Sequence, residues 1–339
     1  MTILVNFKQE ISERGEIAVS YLVQKIEERI YPEYPLREAV LHYPVNGGGK
    51  GFRPAMIQLI TGAFGGDEKL AIPVAAAIEA VHVSSLIHDD FMDKDNTRRG
   101  VEAVWTKWDP TIAILAGDAL VAIGFTLAGE VDNVSDEMRY RFVKDLANVY
   151  IQLCHGQMLD ISFEDMDFDQ VDETLINNMQ YLKTGVLFEF ACVSGAILAL
   201  NEMSGPRIEK IRDYAKQIGT AFQIQDDIIG LVGKKDEIGK PVGSDIIEGK
   251  KTLIVSHAIN NANDEQKKIL NNILGNKNAN NGDIDQCLEV MKQIGSIDYA
   301  KEVAINFAEK ALSNLQILPD NRYTDILKEF TRYIVERKF

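Results

Sequence analysis

Cysteine is scarce in this 339-residue chain: Cys154, Cys192 and Cys287 stand far apart and show no metal-ligand spacing. Cys154 and Cys192 lie in apolar stretches, where they are expected to pack as small hydrophobes, and such sparing use fits a reducing compartment. Histidine is scarcer than a histidine-rich metal site needs. His88–Asp89 has the look of an HD pair, yet five histidines in all do not complete a phosphohydrolase ligand set. An excess of positive charge is also missing. Lys and Arg number 36 against 51 Asp and Glu, a net charge of −15, which argues against general affinity for nucleic acid or an anionic membrane surface. An anionic substrate would have to be held by local basic groups and metal, against the field of the whole molecule.

Period-two alternation of β-branched residues is almost absent, so no convincing sheet is expected. No 20–50-residue repeat and no long linker occurs. The N-terminal MTILVNFKQEISERGE is charged too early for a signal peptide. The longest apolar stretch, residues 70–88, is interrupted by Pro73, Glu79, His82 and two serines, and it reads as a buried helix with no membrane span. These features together suggest a cytoplasmic protein.

What is present is helical periodicity. Residues 3–30, 52–64, 70–93, 111–131, 136–165, 173–201 and 205–232 read as long helices. Shorter ones fit 250–260, 264–275, 284–293, 297–316 and 321–337, with loops at 44–51, 94–109, 233–249 and 276–283. With 46% hydrophobic and 26% charged residues, the simplest expectation is one all-α domain over 1–339 with a large helical core.

Two acidic pairs interrupt this pattern. In SSLIHDDFMDKDNTRRG, Asp89 and Asp93 fall one turn apart on one helix face, Asp90 flanks them, and Arg98 and Arg99 follow. Carboxylates at i and i+4 suit Mg²⁺, which keeps several waters and takes other ligands from phosphate oxygens, and guanidinium groups suit phosphate. The bland alternative is a solvated acidic helix end. Asp226 and Asp227 close a second apolar helix in AFQIQDDIIGLVG, one turn after Gln223. Two such ends in one helical chain suggest facing walls of one cavity.

Basic residues in glycine-rich loops complete the set. GGGKGFRP places Lys50 and Arg53 just before a helix N-terminus, and it is no Walker loop, since no strand precedes it and no GK[ST] occurs. GKPVGSDIIEGKKTL supplies Lys240, Lys250 and Lys251. YLKTGVLFEFA sets Lys183 and Thr184 in an otherwise apolar helix, where a snorkelling lysine is the plain alternative. His82, two turns before Asp89, reads alone as a satisfied core histidine, and His155 has no evident partner.

In order along the chain, GKGFRP, IHDDFMDKDNTRRG, AILAGDAL, GQMLD, KTG, FQIQDD and GKPVGSDIIEGKKTL resemble the motifs of all-trans isoprenyl diphosphate synthases, most of all the archaeal short-chain, geranylgeranyl-type branch. The resemblance runs from about residue 47 to 253. It implies an isoprenoid synthase fold with helices around a deep central cavity, usually homodimeric. It implies three Mg²⁺ ions held between the acidic motifs and the diphosphate of an allylic substrate, with Asp89 and Asp93 as ligands, Asp90 in support, and Asp226 as the main ligand of the Asp226–Asp227 pair. Arg98, Lys183 and Lys240 match positions that hold the allylic diphosphate. Lys50, Arg53, His82 and Arg99 match those that hold isopentenyl diphosphate, and Thr184 and Gln223 match groups near the allylic cation. Ser84 and Ser85 match the pocket floor where aromatic rings stop elongation. Their small size implies a product of at least C20, geranylgeranyl diphosphate, with C25 or longer as the alternative and Val81 as a candidate for the next layer.

Two departures stand out: Gly51 where the first motif usually has an arginine, and Gly230 where the second usually has a third aspartate. A non-catalytic subunit of a heteromeric synthase would typically lose the first-motif carboxylates, which this chain keeps. A class I terpene cyclase should carry an N-D-x-x-S-x-x-x-E-like motif, which is absent.

Overall fold

A computed structural model describes residues 6–164, 166–233 and 243–337, and nearly every element in it is helical. The helices are α1 (Phe7–Arg29), α2 (Pro35–Asn46), α3 (Phe52–Ala63), α4 (Ile72–Met92), α5 (Val104–Lys107), α6 (Pro110–Ala128), α7 (Asp136–Glu164) and α8 (Glu173–Gln180). Then follow α9 (Val186–Leu200), α10 (Pro206–Val232), α11 (Ser244–Glu248), α12 (Leu253–Asn261), α13 (Asp264–Ile273), α14 (Asn281–Ile294), α15 (Ser296–Asn314) and α16 (Arg322–Glu336). Their ends carry ordinary start and stop chemistry. Asp109 accepts the Ile112 amide just ahead of Pro110, Asn263 and Gln266 form a capping box, and Gly295 closes α14 in the left-handed region.

Three features depart from the expected element list. α2 was not anticipated; Pro35 sits at its first turn, where a missing N–H costs nothing, and Pro44 falls within its last turn. The region read as sheet-free contains a hairpin of two-residue strands, Thr97–Arg98 and Val101–Glu102, paired antiparallel with Thr97 opposite Glu102. Strands that short carry no readable alternation. Cys154 is exposed on α7, whereas Cys192 and Cys287 are buried as small hydrophobes are.

The chain groups into two compact units, each drawn from separate stretches of sequence. The first comprises Met1–Ile151, Leu187–Ala215 and Asn314–Phe330. Its axis is α4, buried along most of its length against α1, α3 and α6. Gly124 allows α6 to lie close to α4, because a Cβ there would stand 3.0 Å from the Ala77 carbonyl and 2.9 Å from Val81 Cγ2. The second unit comprises Gln152–Val186, Lys216–Ser313 and Thr331–Phe339, with a core that includes Ile224, Ile228, Ile254, Leu270, Cys287 and Met291.

Three helical stretches, Glu68–Met92, Pro110–Ala128 and Glu173–Leu200, are long and apolar enough to cross a membrane by length and composition. In the first and third, 78% of the apolar window is buried inside the protein; in Pro110–Ala128 the share is 50%.

Candidate active site

In the first unit, α4 delivers Asp89 and Asp90 in its last turn and Asp93 as its C-cap, with no basic residue in that turn. Acids there oppose the negative end of the helix dipole, a cost of about 0.3–1 kcal/mol each unless a cation is present. The three carboxylates are not equivalent. Asp90 is fully buried, accepts from the Tyr43 hydroxyl, and takes the Arg98 Nε–H at 2.7 Å and a second Arg98 N–H. Asp89 is half-buried and Asp93 exposed. Asp90 therefore braces the turn while Asp89 and Asp93 present towards solvent. Arg98, which also reaches Asp95 at 3.4 Å, takes part in the same brace.

Arg99 is presented by the hairpin turn. Arg99 and Gly100 both have positive φ, 50° and 82°, the pattern of a tight primed turn, which a non-glycine residue adopts at some energetic cost. Its guanidinium lies against the glycine loop, since a Cβ on Gly49 would stand 2.7 Å from Arg99 Nη1. Beneath it, Glu79 is buried, and burial raises its pKa while Arg53 and Arg99 oppose that rise. Burial holds the His82 pKa well below its ordinary value, assisted by Arg53 and Arg99, so the ring is neutral and its Nε2 accepts from Arg53 Nη1 at 3.2 Å. Arg53 also lies 5.3 Å over the Phe188 ring, and Lys50 Nζ lies 5.9 Å from the Phe52 ring. Three of the predicted residues, Arg53, Arg99 and, through Arg53, His82, thus group near one buried carboxylate that sequence reasoning did not single out.

The Gly51 departure has a local cause. Gly51 has φ +61°, and a Cβ on it would stand 2.6 Å from the Gly15 Cα of α1. Any side chain here, arginine included, would push α1 away.

In the second unit, Lys183 and Thr184 sit in a π-helical turn, Tyr181–Gly185, inserted between α8 and α9. Such turns are rare and concentrate at functional sites. Gly156 makes room for it: a Cβ there would lie 2.7 Å from the Lys183 backbone nitrogen. Lys183 Nζ donates to Asp160 at 2.6 Å, Thr184 Oγ1 donates to Gln223 Oε1 at 2.7 Å, and Gln223 Nε2 donates to Asp227 Oδ1 at 3.0 Å. Gln180 Nε2 completes the chain on Asp227 Oδ2 at 2.7 Å. Asp226 is held instead by Arg337, at 2.7 Å.

Asp160, Gln180, Lys183, Gln223, Asp226 and Asp227 line a cavity of about 240 Å³ together with Gly230, Asp245 and Lys250. Asp245 belongs to α11, inside the expected loop 233–249, and its Oδ2 would be 3.1 Å from a Cβ on Gly230. A carboxylate from further along the chain therefore stands where the missing third aspartate of the motif would point. Crowding shows in Asp227, whose pKa is pushed up to about 8 by burial first and by Asp245 and Asp226 next. Lys250 Nζ lies 3.3 Å from Asp245 and 3.1 Å from Glu248. Lys240 lies outside the described residues.

Among the described residues no three acids, histidines or cysteines form a ready-made metal cage. Both acidic sets nonetheless fit Mg²⁺: each brings oxygen donors together in a small group, and Mg²⁺ characteristically takes only one or two protein carboxylates, waters and substrate phosphates.

Comparison with known proteins points the same way. Residues 35–291 match the family described as polyprenyl synthetase. A short chain isoprenyl diphosphate synthase of Methanothermobacter thermautotrophicus is 36% identical over 312 residues, 91% of this chain and 92% of that protein. A geranylfarnesyl diphosphate synthase of Aeropyrum pernix is 38% identical over 310 residues, covering 89% and 94%. Among solved structures, geranylgeranyl pyrophosphate synthetase from Pyrococcus horikoshii superposes with a TM-score of 0.87 at 35% identity, covering 98% of each chain. A Caulobacter crescentus polyprenyl synthase, solved with calcium and isoprenyl diphosphate, gives 0.86 at 26% identity, again with 98% of each chain covered. The chain belongs to the polyprenyl synthetase family, has its all-α fold, and is a prenyltransferase.

Proposed function

We propose that this enzyme condenses isopentenyl diphosphate with geranyl or farnesyl diphosphate and releases geranylgeranyl diphosphate, C20, as its main product. The observation that carries the chemistry is the presence of two carboxylate sets, Asp89 and Asp93 at the end of α4 in the first unit, and Asp226, Asp227 and Asp245 around one cavity in the second. Asp89 and Asp93 on the first unit and Asp226 on the second would be the chief ligands of Mg²⁺, three ions in all, which would neutralise the charge that builds on the departing diphosphate. Asp245 takes the part of the aspartate that Gly230 lacks.

The chain's own groups do the rest. Lys183, Lys240 and Arg98 hold the allylic diphosphate as its C–O bond breaks and the electron pair leaves with it. Lys50, Arg53, Arg99 and neutral His82 hold isopentenyl diphosphate, with Glu79 fixing the two arginines. Thr184 and Gln223, locked by their mutual hydrogen bond, turn fixed dipoles towards the allylic cation. The isopentenyl double bond attacks that cation to form the new C–C bond, and loss of a proton to diphosphate restores a double bond. Apolar helices keep water from the cation.

Product length rests on α4. Ser84 is fully buried and its hydroxyl makes no hydrogen bond among the described residues, while the Ser85 hydroxyl donates to the His82 carbonyl at 2.8 Å. No ring stands at either position. One turn earlier Val81 is buried against Gly124 of α6, which supports a floor one layer deeper. Each isoprene unit spans about one helical turn, roughly 5 Å, so the extra depth corresponds to about one unit beyond C15.

We also propose a single polyprenyl synthase-like domain over 1–339, because the matched family spans stretches of both compact units. A homodimer is supported by α6, an apolar helix left half-exposed with Ile114 and Leu115 turned outward at 44% and 48%. The buried apolar helices support a cytoplasmic enzyme without a membrane span.

The test is incubation of purified protein with Mg²⁺, radiolabelled isopentenyl diphosphate and farnesyl diphosphate, with the product sized by chromatography. A C20 product is expected. A dominant C25 product would move the chain to the geranylfarnesyl class, and no elongation at all would overturn the proposal.

A further inference from the structure

We propose that Arg337, in the turn that ends α16, is the positioning residue that holds Asp226 ready for its cation; this rests on the reading of Asp226 as a metal ligand. The residue is buried and tethered from several sides. Its Nη2 donates to Asp226 Oδ1 at 2.7 Å and to the Phe222 carbonyl at 3.0 Å, and its Nε donates to the Ile334 carbonyl at 3.2 Å. The guanidinium carbon lies 4.1 Å from the centre of the Phe222 ring, and Gln225 Nε2 donates to the Arg337 carbonyl at 2.8 Å. A guanidinium enclosed in this way needs an anion, because an unpaired buried charge is strongly destabilising.

The exposures of the two partners separate a positioning role from a packing one. The Arg337 side chain is 2% exposed and that of Asp226 41%. The arginine is the inner partner, and the carboxylate it grips is one of those that line the cavity. Arg337 takes the carboxylate through Oδ1, which fixes the Asp226 rotamer before any ligand arrives. Without it, a cation would have to immobilise that side chain on binding and do so beside two further carboxylates, Asp227 and Asp245. Outer-shell partners that orient a ligand in this manner are typically worth 10–100-fold in metal affinity.

The experiment measures Mn²⁺ binding to the full-length protein by electron paramagnetic resonance, with inorganic pyrophosphate present and no substrate turning over. R337Q is expected to weaken one class of bound Mn²⁺ by about tenfold or more, the same class that D226A abolishes, and to leave the remaining ions unchanged. R337K keeps the charge but loses the planar fork and should fall between wild type and R337Q. In turnover, R337Q should raise the Mg²⁺ concentration needed for half-maximal rate, with excess Mg²⁺ restoring much of kcat. Unchanged Mn²⁺ binding in R337Q beside a lost class in D226A overturns the positioning role, and so does a uniform weakening of every ion. Normal binding in D226A overturns the metal reading of Asp226 and this proposal with it. Should circular dichroism show R337Q unfolded, R337K is read by the same criteria.

Discussion

The acidic ends of α4 and α10 look alike in sequence and are built differently. At α4 the second aspartate of the pair, Asp90, is the buried one, and its charge is met by Tyr43 and by Arg98, eight residues further on. At α10 the first aspartate is the one with a cationic partner, Arg337, while the second, Asp227, is half-buried and accepts from the Gln180 and Gln223 amides. Each end therefore divides its carboxylates between those that brace and those that present. In both pairs the second aspartate is held by donors from its own unit, but the cationic partner sits on that second residue at α4 and on the first at α10.

The sharpest way to break this comparison is within the α4 pair. Asp89→Ala or Asp93→Ala should lower kcat by about 10²–10³-fold or more, since diphosphate charge is then poorly compensated in a water-poor site, while leaving the unfolding midpoint nearly unchanged. Asp90→Ala should instead act on the fold. It removes the anionic partner of a largely buried guanidinium, an effect of about 3–5 kcal/mol, visible in urea denaturation. Loss of activity without loss of stability in Asp90→Ala would place that residue among the metal ligands.

Next in size is the second end. Asp245→Ala should cost about 10²-fold in kcat if its carboxylate stands in for the aspartate missing at Gly230. The double change Gly230→Asp with Asp245→Ala should recover part of that loss, measured in the same elongation assay. A neutral Asp245→Ala would leave the second motif with two working carboxylates.

Product length gives a smaller effect in rate and a clear one in outcome. Ser85 is half-buried and Ser84 fully buried, so Ser85→Phe has room that Ser84→Phe lacks. Ser85→Phe should shift the main product from C20 towards C15 with geranyl diphosphate as primer. Ser84→Phe should do the same with an added stability cost of about 1–3 kcal/mol from overpacking. An unshortened product from both variants would remove α4 as the pocket floor.

Legibility in the sequence follows the same division. The α4 end could be read because its parts are local: the i, i+4 carboxylates, the two arginines and the glycine loop lie in short contiguous motifs. The long amphipathic helices were legible for the same reason. Glu79 was quoted only as an interruption of an apolar run, although a buried carboxylate three residues before His82 is what gathers Arg53 and Arg99. At the α10 end Asp226, Asp227, Gln223, Lys183, Thr184 and Lys250 were legible. Asp160 and Asp245 lie inside motifs already noted without being singled out, while Gln180 and Arg337 come from elements brought together by the fold, and no spacing announces them. The hairpin and α11 were missed because a few residues carry no period.

The last contrast concerns protons. Asp227 has its folded pKa raised from 3.8 to about 8 by burial and by its acidic neighbours. Between those values the folded protein keeps a proton that the unfolded chain has released. Stability of the metal-free protein should therefore fall as pH rises through this window, by at most about 1.4 kcal/mol per pH unit from this group. Above the folded pKa the contribution levels off, because both states are then ionised. Mg²⁺ with pyrophosphate favours the ionised carboxylate and should flatten the dependence or reverse it. Urea midpoints from pH 5 to 8 in a chelator, compared between wild type and Asp227→Asn, isolate the group: the variant should show the shallower slope, and parallel slopes would show that the carboxylates around α10 are not short of a cation.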